Sequence, residues 1–179
     1  MLKTILLALV AIVGVFAAVV AMQPSDYRIA RSATIAARPT DVFTHVNDFH
    51  KWEAWSPWAK LDPAAKATFE GAPAGKGAIF KWAGNSEVGE GTMTVTESRP
   101  GELVRIKLDF VKPMVDTSTA EFTFKPEGNQ TVVTWAMMGE SGFIGRAICT
   151  FFNRDKVVGS YFEKGLANLK AVAEATGSR

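Results

Sequence analysis

Cysteine and histidine are scarce in this 179-residue chain: Cys149 stands alone, and His45 and His50 are its two imidazoles. A lone cysteine excludes an internal disulfide framework and a cysteine-cluster zinc site. Two histidines leave too few ligands for a histidine-rich centre, so neither a metal ion nor a cofactor is expected. Charge of one sign is also lacking, since 20 Lys and Arg stand against 18 Asp and Glu for a net +2. The aromatic residues are not interleaved with basic clusters either, which excludes nucleic acid as a partner. What the chain has is apolar residues, 47% of the total. That is too many for a disordered chain, and the length suits one compact domain.

Charge is most conspicuously missing at the amino end. Lys3 is the one charged residue before Asp26, and Ile5 to Met22 is apolar apart from Gly14. As a helix this stretch spans ~27 Å, enough to cross a bilayer core. Residues 1–22 are expected to form a single transmembrane anchor. The alternative is a cleaved signal segment with Lys3 as its basic start and Val19-Val20-Ala21 as its cleavage site, which would leave a secreted protein. The apolar run is longer than a signal core needs, which favours the anchor. Lys3 and the amino terminus place the short end inside, against Arg28, Arg31 and Arg38 on the other side. The expected location is a bacterial inner membrane, with the soluble domain in the periplasm. Gln23 to Asp26 reads as a linker and 27–179 as one domain, large enough at about 150 residues to bury ~68–70% of its unfolded surface.

Within that domain, Tyr27 to Ala37 alternates apolar and polar residues as a half-buried strand does. Pro39 opens a short helix whose stripe is Val42, Phe43, Val46 and Phe49. Strand patterns follow at Ala78–Ala83, Val88–Glu97, Leu103–Val111, Thr117–Lys125 and Thr131–Met138, with a further one at Lys66–Gly71. Val104, Ile106, Leu108 and Phe110 alternate with Arg105, Lys107 and Asp109, so one sheet face is dry and the other wet. From Val158 on, the period changes to that of a long helix, with Tyr161, Phe162, Leu166, Leu169 and Val172 on the covering face. Gly159 and Gly165 either let that helix approach the sheet or leave room beneath it. Phe143, Ile144, Ala147, Ile148, Phe151 and Phe152 form a second apolar helical stripe. The expected fold class is α+β of the helix-grip kind, a curved antiparallel sheet wrapped around the carboxy-terminal helix, after one transmembrane helix.

Arg31 to Ala37, Val42-Phe43, Asn47-Asp48-Phe49 and Trp52-Glu53-Ala54-Trp55-Ser56-Pro57-Trp58 resemble the start of the SRPBCC (START-like, polyketide cyclase/dehydrase and lipid transport) superfamily. Gly75-Lys76-Gly77-Ala78, Trp82, Gly84-Asn85, Val88 to Gly91, Thr131 to Trp135 and Phe162 to Leu169 are similar to its bacterial polyketide-cyclase-like branch. The resemblance spans roughly residues 30 to 174. It implies a helix-grip fold with a deep apolar cavity between sheet and long helix. Activity is implied less, because carriers, cyclases and co-chaperones share the fold.

The expected ligand-binding residues are Trp55, Trp58, Trp82, Glu90, Phe110, Trp135, Met137, Phe151 and Phe162. Trp52, Trp55 and Trp58 recur at a spacing of three, which puts them on one face of a helical or 3₁₀ turn. Trp52 reads as a plug of the core, while Trp55 and Trp58 read equally as cavity wall or core. Trp82, Trp135 and Met137 lie on strands whose alternation can turn them inward. Glu90 sits between Gly89 and Gly91, where a bulge could aim its carboxylate at a ligand, although a solvated strand glutamate is the plainer reading. Asp48 is expected to brace the Trp-rich turn, and His50, two residues on, to point to a different side.

No catalytic set emerges, there being no Ser/His/Asp order and no paired carboxylates. The expected function is therefore a membrane-tethered protein enclosing a lipid-like or polyketide-like molecule in a cavity between the sheet and the carboxy-terminal helix. The alternatives are a cyclase/aromatase-type enzyme using Glu90 or Asp48 as acid or base, and a co-chaperone-like interaction module. The stripe from Phe143 to Phe152, bounded by Gly142, Gly145 and Asn153, is expected to be either a gate over the cavity or a helix packed on the sheet edge.

Overall fold

The structure is a computed structural model in which residues 2–177 are described. Met1, Ser178 and Arg179, which the boundaries 1–22 and 27–179 include, lie outside them. Helix α1 (Leu2–Met22) leads into strand β1 (Asp26–Ile35), helix α2 (Pro39–Asn47) and a 3₁₀ turn (Phe49–Ala54). Six further strands follow: β2 (Lys66–Gly71), β3 (Ala78–Ala83), β4 (Glu90–Arg99), β5 (Leu103–Lys112), β6 (Asp116–Glu127) and β7 (Gln130–Glu140). Helices α3 (Phe143–Cys149) and α4 (Arg154–Gly177) complete the chain.

All seven strands form one antiparallel sheet in the order β1-β7-β6-β5-β4-β3-β2. Consecutive hairpins build it from β2 to β7, and β1 closes on β7 across the whole domain. The register lines up Tyr27, Gly139, Ser118, Leu108, Met93, Phe80 and Phe69 in one row across the inner face. Ile29, Met137, Ala120, Ile106 and Val95 form the next row. The expected alternation is thereby realised: Val104, Ile106, Phe122, Val133 and Trp135 are buried, while Arg105 on the outer face is ion-paired with Glu97 and Glu121.

Helices α2 and α4 and the 3₁₀ turn cover the inner face. Val42, Phe43 and Val46 bury the stripe of α2, but Phe49 does not continue it. Asp48 takes an extended conformation that ends α2 at Asn47, and Phe49 is buried from the 3₁₀ turn instead. Helix α4 runs beside β1 in the same direction, since Arg31 pairs with Asp155 near its start and Glu174 accepts from the Ala36 amide near its end. Gly159 lets that approach happen. A Cβ there would overlap the Arg31 guanidinium, which lies across the gap and holds Asp155 and Glu163 on either side of it.

Helix α3 is shorter than the apolar stripe that announced it. It stops at Cys149, and after a turn the Asn153 side chain accepts from the Lys156 amide at the start of α4. No residue of α3 is buried, and its packing partner is α1 rather than the sheet. Helix α1 itself is long and apolar enough to cross a membrane, with a mean hydropathy of 3.0 over its 18-residue window. Val20 is its one buried residue.

Candidate functional site

Three tryptophans enter the domain on the 3₁₀ turn and the loop after it. The indoles of Trp52 and Trp55 donate to the last carbonyls of α2, from Nε1 to Val46 O at 2.8 Å and to His45 O at 3.0 Å. These bonds satisfy helix-end acceptors and draw both rings inward. Trp55 is fully buried and Trp52 nearly so. Pro57 is buried, and Trp58 beyond it stays half-exposed, stacked on Tyr161 of α4 with ring centroids 5.4 Å apart.

The gap between β7 and α4, where a deep apolar cavity is expected from the sequence, is instead occupied by rings, because Trp135, Phe162, Phe122 and Trp55 are buried against one another there. Trp135 is 3% exposed and lies parallel to Phe162 at 4.2 Å, with Phe122 stacked at 4.7 Å. Trp52, Trp55 and Trp58 meet it edge-on. Trp135 Nε1 is buried without a hydrogen-bond partner among the described residues.

The inner face is more open toward the end of the sheet where α1 enters. There Phe80, Trp82, Leu108 and Met137 are half-buried and pack against the core without being sealed by it, and Phe110, also half-buried, lies beyond them against Trp82. Trp82 meets Phe110 edge-on at 5.9 Å and donates from Nε1 to Val88 O. Beside this apolar strip Tyr27 Oη and Ser118 Oγ share a hydrogen bond of 2.7 Å. Burial pushes the Tyr27 phenol above its usual range, against the opposing effect of the Ser118 bond. The Arg154 guanidinium lies 4.2 Å over the Tyr27 ring and donates to Ser141 Oγ.

The residues named from sequence thus fall into four places. Trp55, Trp135 and Phe162 sit inside the ring cluster, while Trp58, Trp82, Phe110 and Met137 border the half-open inner face. Phe151 lies outside the sandwich altogether, after α3. Glu90 does sit at a shift of register between β4 and β5, and its carboxylate pairs with Lys112 Nζ at 2.8 Å. Asp48 caps the 3₁₀ turn, accepting from the His50 amide at 2.9 Å. His50 does not diverge from it as expected: Nδ1 lies 3.0 Å from the same oxygen, because Asp48 precedes the turn in extended conformation and its side chain folds back. Asp109 faces outward to Lys107, whose hydrogen bond holds its carboxyl below the usual range. Among the described residues no group of three His, Cys, Asp or Glu side chains comes together to hold a metal.

The sequence reading missed the Tyr27–Ser118 pair. Both positions are on the inward period of their strands, but 91 residues separate them and the β1–β7–β6 register alone brings them together. A second hollow, open and polar, lies at the opposite end of the domain among Arg38, Asp41, His45, Lys51 and Thr176. There burial holds the His45 imidazole below its usual range.

The fold is shared with several solved structures. The di-domain aromatase/cyclase StfQ of the steffimycin biosynthetic pathway superposes with a TM-score of 0.64 at 14% identity, over 86% of this chain and 52% of that one. A protein from Nitrosospira multiformis gives 0.60 at 18%, over 86% and 100%. The Aha1 dimer from Colwellia psychrerythraea gives 0.55 at 18%, over 83% and 96%. At such identities the likeness is one of fold. A comparison with curated protein sequences returns no match. The family described as polyketide cyclase/dehydrase and lipid transport matches residues 27–174. With that match running over all of the sheet but Asp26 and nearly all of α4, the chain belongs to the polyketide cyclase/dehydrase and lipid transport family.

Proposed function

We propose that this protein is a membrane-tethered carrier that holds an apolar small molecule, lipid-like or polyketide-like, on the inner face of its sheet. The observation that carries the reading is the half-open strip of Phe80, Trp82, Leu108, Phe110 and Met137 at the end where α1 enters. Such a surface buries an apolar ligand with few directional demands. The ligand lies along β3 to β7 and reaches Trp58 and the first turns of α4. The neighbouring carboxylates are engaged elsewhere, Glu90 with Lys112 and Asp109 with Lys107, which supports a carrier over a reaction centre. Retention of α1 is supported by its packing on α3, which removal of a signal segment would undo.

One observation favours the enzyme reading: the Tyr27–Ser118 pair is a hydroxyl couple on the same face, where a cyclase would want a positioned proton donor. Mass spectrometry of apolar molecules that copurify with the full-length protein tests the carrier. Phe110→Arg is expected to abolish their retention with little loss of melting temperature. Undiminished retention would overturn the strip as the binding surface. Tyr27→Phe leaves binding intact in a carrier, whereas an enzyme would bind and fail to turn over.

A further inference from the structure

The contacts of α3 fix where it stands relative to α1. The Phe151 ring stacks on Phe16 of α1, with centroids 5.8 Å apart and planes 30° from parallel. Arg146 Nη1 donates to the carbonyl of Ala21 at 3.4 Å, in the last turn of α1, and to that of Gln23 at 2.9 Å just beyond it. Gln23 Nε2 in turn donates to Thr150 Oγ1 at 3.1 Å. Phe16 precedes Met22 by six residues, so it lies roughly 9 Å down the helix axis from its end. Helix α3 therefore lies alongside the last turns of α1, on the α1 side of the linker and away from the sheet.

What α3 and the turn after it leave uncovered is apolar. Ile144 is 68% exposed, Phe151 74% and Phe152 65%, with Phe143 and Ile148 exposed beside them. The β5–β6 hairpin brings a second such surface to the same end. Register pairs Asp26 with Glu140 and Ser118 with Gly139, so Thr117 stands level with the start of β1. The turn through Met114 reaches roughly 10 Å beyond that level at strand spacing. Its tip shows Val115 at 86% exposed, with Val111 and Met114 exposed as well. Water would make both surfaces unfavourable, whereas the boundary between headgroups and acyl chains accepts them at about 25 cal/mol per Å² of apolar area removed from water.

We propose that this end of the domain is itself a membrane-contacting surface, in which α3 and the β5–β6 tip seat in the interfacial layer of the bilayer that α1 spans. The proposal rests on α1 being a transmembrane anchor and deepens the carrier reading. With two points seated besides the span, the half-open strip between them faces lipid, and an apolar ligand passes from leaflet to sheet without crossing water. The stripe from Phe143 to Phe152 then acts as a lipid-embedded sill of the site.

The test uses the full-length chain in vesicles of phosphatidylethanolamine and phosphatidylglycerol, in a Cys149→Ser background. A single nitroxide-labelled cysteine is placed in turn at Ile12, Phe152, Val115 and Glu127. All four side chains are exposed, so labelling leaves the core intact. Collision with dissolved oxygen, which partitions into lipid, is compared with collision with a water-soluble nickel chelate. The expected result is lipid-type accessibility at 12, 115 and 152 and water-type accessibility at 127, on the far β6–β7 turn. Water-type accessibility at 115 or 152 with lipid-type accessibility at 12 would overturn the seating and leave the anchor standing. Water-type accessibility at 12 would overturn the anchor, and the seating with it.

Discussion

Gly165 on α4 and Trp135 on β7 are complementary: a Cβ at Gly165 would stand 2.7 Å from Cζ3 of the indole and 3.0 Å from Pro57. The glycine lets the ring and helix share one level. Alanine is the better helix former by ~1 kcal/mol. Here it must displace a ring stacked on Phe122 and Phe162, and overpacking of that kind costs ~1–3 kcal/mol. Gly165→Ala is therefore expected to lower the melting temperature of the full-length protein in detergent. A rise would show that Trp135 has room to move.

Trp135 and Phe110 differ in how completely they are enclosed. Trp135→Ala is expected to cost ~3–5 kcal/mol, near the top of that range given stacking on both faces. Phe110, half-exposed and met by Trp82, is expected to lose well under half of that on truncation. Denaturant titration of the two variants measures the contrast. Equal losses would mean the strip is sealed and no ligand lies there.

Arg31 anchors β1 to α4 through two exposed carboxylates. Its hydrogen bonds hold the Asp155 carboxyl below the usual range, as bonds from Lys170 and the Ala36 amide do for Glu174. A carboxyl depressed in the folded state binds fewer protons there than when unfolded. Its contribution is thus fully present above the unfolded value of ~4 and is lost as pH falls through the folded one. Arg31→Gln is expected to lower the urea midpoint by a constant amount between pH 5 and 8, and that difference should shrink below about pH 4. A difference that persists at pH 2 would assign the role of Arg31 to packing across Gly159 instead.

Removing residues 1–22 should leave a domain that melts cooperatively, because Val20 is the one buried residue of α1. It should also loosen α3, which loses Phe16 and the acceptor carbonyl of Ala21. Limited proteolysis is expected to cut the shortened chain between Phe143 and Phe152 and to spare the full-length protein in vesicles. Loss of cooperative melting would refute the domain boundary at the linker.

Strands could be read closely from the sequence because each carries its own signal: alternation such as Val104, Ile106, Leu108 and Phe110 needs no distant partner to be recognised. Features made by register were not legible in this way. Ser118 looks like any strand serine until β7 sets it opposite Gly139 and beside Tyr27. The tryptophans were half legible. A spacing of three puts Trp52, Trp55 and Trp58 on one face only while the turn lasts, and it ends at Ala54. For α3, the doubled apolar stripe announced a wide dry face without naming its cover, since amphipathic periodicity is the same against a sheet, a helix or a lipid.

Between Met22 and Asp26 there are only Gln23, Pro24 and Ser25, and the Ser25 carbonyl is already bound by the Ser141 amide at 2.7 Å. Fully extended, those residues reach about 10 Å. With α1 in a bilayer, so short a leash turns the domain's search from three dimensions to two. Tethered in this way it would sample what diffuses laterally in the leaflet beside it, at the local concentration of that leaflet rather than of the surrounding fluid. Delivery to a second membrane then requires an acceptor to come within one domain's width. A carrier so tethered would work as a landing stage, handing its cargo to a visitor.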